Sequence, residues 1–140
     1  MLKKLTLCLF ALLFITSCAK NTSELSSEKE KSVLATYELS VMKINNKSIK
    51  VPKGFEIILF DDNTLSYKGC NVGFGSYQKS DSEISVQISG LTRKMCEKNL
   101  MDIENTFVGA FRGEFKTQTS GKNISFINKN SNFFFNILEK

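Results

Sequence analysis

The side chains best suited to chemistry are Cys70 and Cys96, with Arg93 and Lys94 just ahead of the second cysteine and Glu104 a little beyond it. Cationic neighbours favour a thiolate, so Arg93 and Lys94 would activate Cys96 if it were free. A redox pair is usually spaced Cys-x-x-Cys, however, and these two are far apart in the chain. The pair reads first as a structural disulfide, with two buried free thiols or a redox-active pair as alternatives, and the two cations as a solvated basic edge. Glu104 has no second carboxylate placed to share acid–base work. It reads as an acceptor of charge-assisted hydrogen bonds from a basic side chain or from backbone amides near residues 69–71. Asn71 reads as a bend residue that satisfies backbone groups. The chain contains no histidine. That removes the Ser-His-Asp triad, the Cys-His pair and the His-containing zinc sites. The expectation is a protein without catalytic residues, metal or cofactor.

These residues need a compartment, and the N-terminus supplies one. Lys3 and Lys4 precede an apolar run spanning only residues 5–15, too short to cross a bilayer and suited to a signal-peptide core. Ile15, Thr16, Ser17 and Cys18 then resemble a bacterial lipobox, in which the cysteine is acylated and becomes the new N-terminus. Acyl chains supply membrane affinity at about 0.8 kcal/mol per buried methylene. The reading is a lipoprotein signal peptide over residues 1–17, a tether over 18–35 and one domain over 36–140. Cys8 leaves with the signal. Without Lys3 and Lys4 the chain carries 17 basic and 14 acidic side chains, a net +3, too scattered for a nucleic-acid face. The Ser-, Glu- and Lys-rich tether cannot bury enough apolar surface to order itself. A flexible coil of that length has an r.m.s. reach of about 20–25 Å. Disulfides persist in exported compartments, which favours the bridge between Cys70 and Cys96.

The body reads as strands, one helix, strands. Residues 37–44, 55–60, 64–68, 71–78 and 83–88 have strand length or alternation. In the last of these Ile84, Val86 and Ile88 share one face. Gly69, Gly73 and Gly75 mark a sharply bent sheet. After Cys96 the period changes. Leu100, Ile103, Phe107 and Phe111 recur at helical spacing over about 99–112, with Asn99 as the N-cap and Gly113 as the stop. Residues 114–119, 122–127 and 132–138 complete a meander. Phe133, Phe134 and Phe135 suggest a last strand that is central or buried on both faces. With 12 Phe and no Trp, the core should be stacked aromatics.

In order and spacing, Gly69-Cys70-Asn71, Gly75, Tyr77, Thr92 and Cys96, followed by Glu104, Phe107 and Phe111, resemble the META domain family, the HslJ-like proteins. The resemblance covers roughly residues 36–138. It departs at Tyr37-Glu38-Leu39, where the family has Trp-x-Leu, and at Asn46, where Gly is common. It implies an α+β domain, mostly antiparallel: a curved sheet or incompletely closed barrel of about 7–8 strands with one packed helix. It also implies an envelope setting, links to stress or drug tolerance, and no established enzymatic activity. The expected function is a non-catalytic lipoprotein that binds or stabilises other envelope components. It would be anchored through Cys18, in the outer membrane facing the periplasm if the host has two membranes. The alternative is a pilotin-like chaperone or carrier that holds an acyl chain or apolar peptide inside the barrel.

Overall fold

The computed structural model describes residues 30–139. The signal peptide, the lipobox and most of the tether lie outside them. Along the chain come β1 (Val33–Ile44), β2 (Lys47–Lys50), β3 (Glu56–Phe60), β4 (Thr64–Lys68), β5 (Val72–Lys79), β6 (Glu83–Leu91), α1 (Lys98–Ala110), β7 (Gly113–Ser120), β8 (Asn123–Ile127) and β9 (Ser131–Leu138). Every neighbouring pair of strands is antiparallel, and β1 also pairs with β9, which closes eight strands into a barrel. β2 is a ninth strand, paired with the second half of β1 beyond the end of β3. The barrel is thus continuous, where the sequence left open a sheet or an incomplete ring. The β6–β7 seam is short: along β6 only Glu83 to Val86 find partners there, Lys116 to Gly113.

Alternation builds the interior. Ile84, Val86 and Ile88 of β6 point inward, as do Leu65 and Tyr67 of β4 and Phe133 and Phe135 of β9. In β1 the phase changes: Tyr37 and Leu39 are buried, then a register shift between Leu39 and Val41 brings Met42 inside. Such a bulge also bends and twists the strand, as barrel closure requires.

The β1–β2 hairpin turns on Asn45 and Asn46, with φ of 47° and 67°. Two consecutive left-handed residues are the geometry that matches strand twist in a two-residue turn, and Asn tolerates it. The sequence reading took these residues as a turn but missed β2, because Lys-Ser-Ile-Lys has little to bury.

The aromatic half of α1 fills the barrel. Tyr67, Phe107 and Phe111 form a stack with centroids 5.2 and 4.8 Å apart. Phe111 then meets Phe115 at 5.4 Å and stands edge-on to Phe133 at 5.0 Å. Each such pair contributes about 0.5–1.5 kcal/mol beyond the area it buries.

Two details differ from the sequence reading, and a third decides between alternatives it left open. The first strand begins at Val33, inside the expected tether, because Val33 and Ala35 pair with Phe60 and Leu59. The helix starts at Lys98 after Glu97, with no side-chain cap. Glu97 supplies the first acceptor, taking the Met101 N–H at 3.0 Å, so Asn99 lies within the first turn and is not a cap. Finally, β9 is central, one of the two readings its phenylalanines allowed, and is not buried on both faces. Phe134 points outward, where the Lys43 ammonium sits 5.4 Å from its ring centre. The helix stop is closer to expectation: Arg112 Nε donates to the Val108 carbonyl at 3.0 Å, and Gly113 takes φ +83° into β7.

Candidate functional site

Glu104 projects from the buried face of α1 towards the bend between β4 and β5 and is only 3% exposed. Its Oε1 accepts the Asn71 backbone N–H at 2.8 Å and the Tyr67 hydroxyl at 2.9 Å. Its Oε2 accepts the Asn71 side-chain amide at 2.5 Å. The other end of that amide is equally occupied. Asn71 Oδ1 accepts the Lys94 backbone N–H at 2.7 Å and the Thr92 hydroxyl at 3.0 Å. The Thr92 oxygen in turn accepts the Val72 N–H at 3.0 Å. One carboxylate and one amide therefore join the helix, the bend at residues 69–71 and the loop at 92–97.

The disulfide Cys70–Cys96 ties the bend to the loop covalently, with Cα atoms 6.2 Å apart. The bridge expected between these two cysteines is therefore formed, and they are not free thiols. Every residue of the motif has a spatial reason. At Gly69 a Cβ would lie 2.0 Å from the Tyr67 hydroxyl and 3.1 Å from Glu104 Oε1. At Gly75 a Cβ would lie 2.0 Å from the Gln87 carbonyl oxygen, beside the register shift between Phe74 and Gly75. Tyr77 stands apart from the clamp. Its hydroxyl donates to the Phe60 carbonyl at 2.8 Å, and its N–H donates to the Asn63 carbonyl, fastening β5 to the β3–β4 turn. The sequence reading found Glu104 and Asn71 but missed Tyr67 as a donor. The available signal was its inward phase with Leu65 and a glycine two residues on.

Two expected results follow. Gly69→Ala should cost about 1–3 kcal/mol by forcing the Tyr67 phenol off the carboxylate, measured by denaturant unfolding. The second concerns the chain's 3 tyrosines. Burial pushes the phenol of Tyr67 strongly upward, reinforced by its bond to Glu104. Burial likewise raises Tyr37 and Tyr77, with charge from Tyr77 and from Asp62 adding respectively. The fold thus holds phenolic protons that the unfolded chain releases near its ordinary value of 10.0. Stability should be whole below that pH and fall as pH rises above it. Tyrosinate absorbance should appear together with loss of the fold, not as a separate step near pH 10.

Beside the clamp runs a cleft of about 470 Å³ between the end of β6 and α1. Ile88, Leu91, Met101 and Val108 supply its apolar lining, and Arg93, Lys94 and Arg112 its charge. Asn71 and Glu104 form part of its wall.

An eight-stranded antiparallel barrel filled by one helix, with a Gly-Cys-Asn bend clamped by a helix glutamate, defines a class of small α+β barrel domains. The family model of the META domain matches residues 32–135, and the chain belongs to that family. Its fold is similar to that of a protein from Burkholderia xenovorans solved by NMR, at 22% identity and a TM-score of 0.61. That alignment covers 76% of this chain and 83% of the other. A second protein solved by NMR is 20% identical over 73% of this chain and 87% of its own length, with a TM-score of 0.53. A search of curated protein sequences finds no match.

Proposed function

We propose that the mature protein is a lipid-anchored domain of a bacterial envelope that binds or stabilises other envelope components and catalyses no reaction. The observation that carries this is where the polar groups spend their bonds. Glu104, the carboxylate most suggestive of chemistry, accepts three hydrogen bonds from protein donors, and Asn71 is satisfied at both ends. Those groups maintain a shape, and the outer surface is what remains to meet a partner. The address rests on the lipobox ending at Cys18. The carrier alternative needs room inside the barrel, and Phe107, Phe111, Phe115 and Phe133 stand there within about ring contact of one another. An acyl chain would have to expel the helix.

Crosslinking in intact cells, followed by mass spectrometry of what stays bound, tests the binding role. A reproducible envelope component is the expected result. An unlinked protein under both resting and stress conditions would contradict it. Fatty-acid labelling tests the anchor: wild type should incorporate label and sediment with membranes, and Cys18→Ser should do neither.

A further inference from the structure

We infer that the cleft between β6 and α1 receives an extended segment of a partner polypeptide carrying alternating apolar and acidic side chains. This rests on the reading of the domain as a binding module and assigns that role to one place.

The first support is an open strand edge. β6 runs to Leu91, yet its pairing with β7 ends at Val86. Residues 87–91 are bonded to β5 on one side only. A strand edge without a neighbour presents a row of backbone donors and acceptors, and an extended peptide satisfies them by adding a strand. The free edge of β2, by contrast, carries Lys47 and Lys50, residues that discourage such pairing.

The second is what lies beside that edge. The cleft offers about 470 Å³, with Ile88 and Leu91 on the strand side and Met101 and Val108 on the helix side. Apolar side chains on alternate positions of an added strand would enter it. Methionine is a lining that adapts to varied shapes, and Met95 at the mouth is 89% exposed.

The third is charge. Arg93, Lys94 and Arg112 line the cleft, three cations against one carboxylate, Glu104, whose oxygens are turned to Asn71 and Tyr67. The field facing an incoming segment is therefore positive, which selects acidic side chains or a free C-terminal carboxylate. The disulfide and the Asn71–Lys94 bond hold the 92–97 wall in place, so little ordering is needed on binding.

The test is selection of short random peptides, displayed on phage, against the intact mature protein. Enriched sequences should alternate apolar residues with Asp or Glu. Synthetic copies should bind the paired variant Arg93→Glu, Lys94→Glu roughly tenfold or more weakly, while Lys116→Glu changes nothing. Binding should also slow amide hydrogen exchange in residues 87–91, a readout that charge alone would not move. Failure of any sequence to enrich would overturn the inference, as would enriched peptides that bind the paired variant normally. Sedimentation with anionic phospholipid vesicles that the paired variant loses, without peptide enrichment, would overturn it in favour of a membrane surface. If selection fails while crosslinking in cells still captures an envelope protein through another face, the binding role stands and the cleft assignment falls.

Discussion

Glu104→Ala should lower the stability of the domain by about 3–5 kcal/mol, a large share of the roughly 5–15 kcal/mol that small domains possess. The substitution removes an acceptor and leaves three donors behind: the Asn71 N–H, the Asn71 amide and the Tyr67 hydroxyl. Each orphaned buried donor costs about 1–3 kcal/mol, reduced where water can reach it from the cleft. Glu104→Gln should be milder, about 1–3 kcal/mol. It retains one oxygen for Oε1's two donors but presents an amide nitrogen to the Asn71 amide, donor against donor. Urea unfolding should show the midpoints in the order wild type, Gln, Ala at an unchanged slope. Equal midpoints would mean that the carboxylate is not holding the bend.

Removing the disulfide should have a comparable effect. Cys70 and Cys96 are separated by 26 positions. Closing a loop of that length restricts the unfolded chain by about 3–4 kcal/mol. Cys70→Ser with Cys96→Ser, or reduction by dithiothreitol, should therefore lower Tm by roughly 15–20 °C. The folded reduced form should keep its far-ultraviolet spectrum at low temperature, because the bonds of Asn71 to Thr92 and Lys94 span the same two segments noncovalently. Combining Glu104→Ala with reduction should abolish folding at ordinary growth temperatures. A reduced protein as stable as the oxidised one would remove the bridge from this account.

Most of the fold was legible because its elements announce themselves by period. β6 alternates and α1 recurs at helical spacing, and both lie within a few residues of where those patterns put them. What escaped detection was set by tertiary contact. β2 is too short and polar to carry a pattern, and forms because the Asn45-Asn46 turn delivers it to β1. Phe134 looks like core in a triple-Phe run, and only barrel closure decides that Phe133 and Phe135 face in. At the site, Glu104, Asn71 and the two cysteines were readable by type and order. The part played by Tyr67 was not, since its hydroxyl meets Glu104 across 37 positions of chain. The cleft was invisible too: it exists because β7 leaves β6 after Val86, a property of pairing length that no residue type signals.

The central claim is that the motif residues hold a shape together, and a double-mutant cycle between Glu104 and Asn71 tests it most directly. Glu104→Ala, Asn71→Ala and the pair would be compared with wild type by urea unfolding. The account predicts a coupling of about 2–3 kcal/mol, because the second substitution removes partners that the first has already stranded. Costs that add to within about 0.5 kcal/mol would show the two residues acting independently, and the clamp as described here would not exist.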